Sequence, residues 1–82
     1  STMLRMLNNV LSDSTNGVKF SVLPLSSTIA ENETVNCTRF LLINTAGLTA
    51  DKLLVVNNIT TSLITGDTTG IAKYVTANNI PA

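Results

Sequence analysis

A mainly β fold, a small antiparallel sandwich or barrel preceded by a short N-terminal helix, is what this sequence predicts. Three observations carry the prediction. Of 82 residues, 26 are Thr, Val or Ile, side chains that are stiff at χ1 and suit a pleated surface. Short apolar runs alternate with clusters of turn formers, the spacing of a sandwich or small barrel. One segment alone, at the N-terminus, has its apolar residues at helical intervals.

That segment spans residues 2 to 11. Met3, Leu7, Val10 and Leu11 fall at i, i+4, i+7 and i+8, and Leu4 and Met6 widen the stripe; Ser1 or Thr2 can cap it. Ser12-Asp13-Ser14-Thr15-Asn16-Gly17 reads as the turn that stops it. A ten-residue helix is marginal alone. Met3, Leu4, Leu7, Val10 and Leu11 are therefore the candidate subunit contact, resting either on a neighbouring molecule or on the chain's own sheet. The domain reading is an arm over 1–17 and a single β-rich domain over 18–82.

After Gly17 the period changes to two. Val18, Phe20 and Val22 alternate with Lys19 and Ser21, the pattern of a half-buried strand that Pro24 ends. Residues 26–34 read as a loop or short edge strand around Ile29. The next strand, about 35–44, is apolar on both faces at its centre, as is the one over 52–59, so both faces of each are expected to be covered. Residues 60–65 are β-rich, Gly66 to Gly70 form a turn, and 71–76 read as a last strand in preference to a helical turn. The doublets Asn8-Asn9, Asn57-Asn58 and Asn78-Asn79 have different flanks, and in a chain with ten Asn they are read as coincidence rather than as a repeat.

Composition limits the chemistry. Five basic and five acidic residues give zero formal charge, and 13 Thr, 10 Asn and 7 Ser supply most of the polar surface. Little electrostatic repulsion keeps copies apart. The absence of His excludes a Ser-His-Asp hydrolase and imidazole metal sites within the chain. Cys37, the one thiol, has no His to activate it and reads as a small buried hydrophobe. No internal disulfide is available to a chain this small, which points to oligomerisation or docking for added stability.

Other motifs resolve to bland readings. Glu31 and Glu33 could share one side of an extended segment and hold a hard cation, but two solvated loop charges account for them. Asp13 to Gly17 and Gly66 to Gly70 lack the spacing of a calcium loop or a phosphate loop. Sequons at Asn32, Asn36 and Asn58 number about what chance gives in a chain this rich in Asn and Thr. Scattered single Lys and Arg form no phosphate-binding patch. No apolar run approaches the ~20 residues of a membrane-spanning helix, and Ser1 to Leu7 lacks the features of a secretion signal. No catalytic, cofactor-binding or metal-binding residue is assigned.

The Thr/Asn/Ser-rich β segments, the low charge and the stretch Arg39-Phe-Leu-Leu-Ile-Asn-Thr-Ala-Gly47 followed by Asp51-Lys-Leu-Leu-Val-Val-Asn57 look like the paired strands of small structural proteins of bacteriophage particles. Head decoration or cement proteins and some tail components are the group the chain resembles. The resemblance implies a non-enzymatic structural subunit of a virion, with copies of itself or a major structural protein as partners and with no nucleic acid, membrane or cofactor. Two other readings stay open: a small carbohydrate- or peptide-binding module, and an extracellular or cell-surface fibre subunit.

Overall fold

In the computed structural model, which describes residues 3–43, 49–60, 64–66 and 68–81, every strand pairing is parallel. The strands are β1 (Met3–Leu7), β2 (Val10–Phe20), β3 (Ser26–Ala30), β4 (Glu33–Ile43), β5 (Ala50–Val56), β6 (Ile59–Thr60), β7 (Ile64–Gly66), β8 (Ile71–Ala77) and β9 (Ile80–Pro81). One sheet has the order β1-β3-β5-β8 and the other β2-β4-β6-β9, with β7 also on β4. Consecutive strands therefore lie in opposite sheets, except β6 and β7, which both pair with β4. The chain winds through four coils, each adding a strand to both sheets, which is a parallel β-solenoid.

The mainly β expectation holds, and so does the strand over 71–76. The antiparallel arrangement and the N-terminal helix do not. Turn-forming residues between apolar runs suggest antiparallel pairing, yet the described corners at residues 8–9, 31–32, 57–58 and 78–79 carry the chain across to the facing sheet. A strand then meets its counterpart one coil later instead of its immediate neighbour. Accordingly, β4 and β5 do not pair with each other as the sandwich resemblance implied; β5 lies between β3 and β8.

Over residues 3–11 the helical spacing has a different origin. Along β1 burial alternates, with Leu4 and Met6 turned towards the core and Met3, Arg5 and Leu7 outward. The interval from Met3 through Leu7 to Val10 thus joins outward-facing residues of two strands rather than one helix face. Pairing β1 along β3, Met3 with Ser26 through Leu7 with Ala30, satisfies backbone groups that a short exposed helix would leave to water. The predicted turn at 12–17 likewise lies inside β2, which runs unbroken through 17 and 18.

Short corners make the winding possible. Asn8, Glu31, Asn57 and Asn78 all adopt left-handed backbone, with φ of 59°, 58°, 57° and 56°. Each is followed by an Asn and then by a strand of the other sheet. Asn tolerates this conformation because its short polar side chain bonds locally. Asp13 of β2 and Asn36 of β4, joined by a side-chain hydrogen bond, form a second left-handed corner at 56° and 57°. That corner bends the long strands without breaking them.

The space between the sheets holds the core. Ile29, Leu53 and Val55 come from one sheet and Val18, Phe20, Phe40, Leu41 and Ile43 from the other. Inward positions stack from coil to coil: Ile29 lies in register with Met6 and Val55, and Leu41 with Val18. Gly17 sits opposite Phe40, where a Cβ would come within 2.9 Å of the Phe40 carbonyl oxygen and 3.2 Å of Leu11 Cδ1. The coils close up at this point because residue 17 has no side chain.

Candidate functional site

A ladder of four asparagines runs the height of the solenoid. Asn9, Asn32, Asn58 and Asn79 follow the left-handed residues, and successive members are 23, 26 and 21 residues apart. The main-chain N–H and the side-chain amide of each donate to Oδ1 of the next: 2.9 and 3.2 Å from Asn9 to Asn32, 2.9 and 3.0 Å from Asn32 to Asn58, 3.0 and 2.8 Å from Asn58 to Asn79. The second amide hydrogen reaches back one coil. Asn32 Nδ2 donates to Met6 O, Asn58 Nδ2 to Ile29 O and Asn79 Nδ2 to Val55 O.

Asn58, 0 % exposed, thereby uses two donors and two acceptor positions, the full capacity of a primary amide. Backbone bonds flank the ladder. Asn8 N–H donates to Ala30 O, Glu31 N–H to Val56 O and Asn57 N–H to Ala77 O; Glu33 N–H donates to Asn9 O, Ile59 N–H to Asn32 O and Ile80 N–H to Asn58 O. The corner is a repeated hydrogen-bonded unit, not a loop.

The ladder's ends differ from its middle. Asn32 and Asn58 are buried, whereas Asn9 is exposed and Asn79 half-buried. With no earlier coil to reach among the described residues, Asn9 Nδ2 donates to Leu7 O of its own coil. Large apolar side chains are exposed on the same terminal coils: Met3 at 59 % and Val10 at 68 % on the first, Val75 at 40 % and Ile80 at 56 % on the last.

Of the five residues assigned to a subunit contact, Met3, Leu7 and Val10 are outward and exposed, and Leu4 and Leu11 are half-buried against the core. All five belong to the first coil. Tyr74 lies on the last, in register with Leu53 and only partly covered; this burial raises its hydroxyl pKa above the usual 10.0.

Remaining sequence candidates take structural places. Glu31 and Glu33 flank buried Asn32 and are both exposed, and among the described residues no group of three or more His, Cys, Asp or Glu is placed to hold a metal ion. Cys37 is buried as expected, its thiol donating to Leu11 O at 3.3 Å. Asp13 accepts from Asn36 Nδ2 at 2.9 Å, and Arg39 Nε donates to Asn16 Oδ1 at 2.8 Å, so the supposed calcium-like loop binds the neighbouring coil. The three sequons separate: Asn32 and Asn58 are buried in the ladder and Asn36 is exposed at the second corner. Asp67, inside the supposed phosphate loop, lies outside the described residues, while Thr68 O accepts from Ile71 N–H in the turn that follows.

Sequence reasoning missed the ladder, although its signal was present. Three of the four corners carry Asn-Asn; at the second, Glu31 stands in the left-handed position and breaks the doublet. Coil lengths also vary. Glu33 pairs with Ile59, 26 residues on, but Leu41 pairs with Ile64, only 23 on.

Neither a protein-family model nor a curated protein nor a solved structure matches this chain.

Proposed function

We propose that this chain is a non-enzymatic structural subunit of a virus particle, serving as a rigid stacked segment of a tail-like or spike-like projection. The carrying observation is the ladder: four coils locked in one register by hydrogen bonds along the axis. Each coil of a solenoid contacts only its neighbours, so such a segment transmits shape along a line. This geometry supports an elongated element better than a globular cap on a shell. Low charge and a Thr/Asn/Ser surface favour dense packing with neighbours.

The extracellular fibre subunit is the alternative, and the same axial stacking favours it. Immunogold electron microscopy with an antibody to the chain tests the reading. Label on projections of virus particles from producing cells is the expected result. Label confined to the soluble cell fraction would overturn it, and label on cell-surface filaments would move the assignment to the fibre.

A further inference from the structure

We infer that the outward face of the β1-β3-β5-β8 sheet binds an acidic polysaccharide, a chain of sugars bearing carboxylates, through Arg5, Lys52 and Lys73 with the hydroxyls of Ser26 and Thr28 between them. This face runs along the side of the coils, so it does not depend on what adjoins the first or the last of them, and a sugar site there is separate from the structural role proposed above.

Winding brings together charges that are scattered in the sequence. Met3, Arg5 and Leu7 of β1 point outward, and so, in parallel register, do Ser26 and Thr28 of β3, Lys52 and Leu54 of β5, and Lys73 and Val75 of β8. Lys52 and Lys73 are direct partners across β5 and β8, about 4.8 Å apart at the backbone. Arg5 lies two strands and two residues from Lys52, about 12 Å away by the spacings of a sheet. Ser26 adjoins Lys52 and Thr28 adjoins Arg5, so the two hydroxyls fill the gap. Three of the chain's five basic residues thus share one face.

These charges are not offset. Asp51, the one acidic residue in the strands of this sheet, alternates with Lys52 along β5 and is off the outward row. Among the described residues, Arg5, Lys52 and Lys73 form no ion pair, and neither Ser26 nor Thr28 makes a side-chain hydrogen bond. Like charges directly opposite one another on a sheet repel. An anion lying across Lys52 and Lys73 removes that repulsion.

The kind of anion follows from what else the face offers. No aromatic residue occupies an outward position, Tyr74 being in register with inward Leu53, so bases have no platform on which to stack. Three cations also fall short of the roughly 6–10 phosphate contacts of a typical nucleic-acid site and of the roughly 4–8 Lys or Arg of a lipid-binding cluster. An acidic peptide adds to a sheet edge or fills a groove, and the middle of a sheet face is neither. A polysaccharide running across the strands meets each feature. Its carboxylates, one on each sugar, follow one another at a spacing close to that of adjacent strands. Its hydroxyls exchange bonds with Ser26 and Thr28, and its C–H faces rest on Leu54 and Val75, which continue the row of Thr28.

Isothermal titration calorimetry of the chain with oligogalacturonate at low salt tests this, with neutral dextran, an oligothymidylate and phosphatidylserine vesicles as comparison ligands. The expected result is saturable binding to oligogalacturonate alone, weakened by added salt. Lys52→Gln, Lys73→Gln and Arg5→Gln should each raise the dissociation constant about two- to fivefold, the range of an exposed ion pair. Lys19→Gln, which removes the same charge from the other sheet, should leave it unchanged. Neither Lys52→Gln nor Lys73→Gln should lower the unfolding temperature, since each relieves repulsion within the pair, so their loss of binding reports the site and not the fold. Absence of saturable binding to oligogalacturonate, equal binding of dextran, an equal loss in Lys19→Gln, or a preference for the oligonucleotide or the vesicles would overturn the inference.

Discussion

Asn32 and Asn58, 26 residues apart in the chain, are joined twice: the main-chain N–H and the side-chain amide of Asn32 both donate to the same oxygen, Asn58 Oδ1, at 2.9 and 3.0 Å. Both residues are buried, so the contact replaces water on the amide and the backbone together. A buried polar group is stabilising only when all its bonds are made, and this one meets that condition by using the coil above and the coil below.

Asn58→Ala should be among the most damaging single changes in the molecule. It leaves the main-chain N–H of Asn32 and one hydrogen of its side-chain amide without their acceptor, and each orphaned buried group costs about 1–3 kcal/mol. A loss of about 3 kcal/mol or more is expected in urea unfolding, against about 1 kcal/mol for Asn9→Ala at the exposed end. Equal losses at the two positions would show that the ladder contributes no cooperative stability.

Glu31→Asn should stabilise the fold. Glu31 occupies the left-handed corner position that Asn fills in the other three coils, and its longer side chain lacks the local bonding that eases that conformation. A gain of about 0.5–1 kcal/mol follows, a fraction of the cost of left-handed backbone in an L-residue. Thermal unfolding at constant pH checks it, and an unchanged or lower midpoint contradicts it.

Ser27 carries the one buried side-chain oxygen or nitrogen that lacks a hydrogen bond among the described residues. It lies in register between Leu4 and Leu53 in the inward stack. Ser27→Ala removes the unpaired hydroxyl and almost no volume, and should raise stability by about 1 kcal/mol. Denaturant titration showing a loss instead would mean that this oxygen has a partner in solution.

Gly17→Ala and Gly66→Ala should both destabilise, for different reasons. At Gly17 a methyl group meets the Phe40 carbonyl oxygen, which cannot rotate away, and Leu11, which can; about 1–3 kcal/mol is expected. Gly66 has φ of 126° and its Cβ direction runs into the Ile43 backbone, so the β7–β4 pairing must open. Hydrogen exchange should show deprotection near Ile43 in the Gly66 variant only.

Stability should also fall in strong base through Tyr74. Its folded-state pKa is raised by burial, so the proton leaves the unfolded chain first. The Tyr74 contribution is complete below about pH 10, the free-tyrosine value, and is lost as pH rises through the folded pKa. Tyr74→Phe should flatten the decline above pH 10, and an identical decline in the variant would refute the assignment.

The mainly β character and several strand positions were legible in the sequence because they rest on local chemistry. The χ1 stiffness of Thr, Val and Ile, the alternation at Val18 and Phe20, and the two-sided apolar centre over residues 40–43 report pleated, covered strands wherever those strands go. Cys37 was placed correctly for the same kind of reason: a thiol with no base nearby is a small apolar side chain. What the sequence left undetermined was pairing. An apolar run bounded by turn formers is equally compatible with a hairpin and with a corner leading to a second sheet, and the choice depends on left-handed geometry at Asn8, Glu31, Asn57 and Asn78. Helical spacing over Met3, Leu7 and Val10 misled because residues on two strands joined by a sharp corner imitate one helix face. Only the tertiary structure decided the ladder, since hydrogen bonds between residues 21 to 26 positions apart exist once the coils stack, and no local property of an asparagine distinguishes Asn58, buried with every bond made, from one left in water.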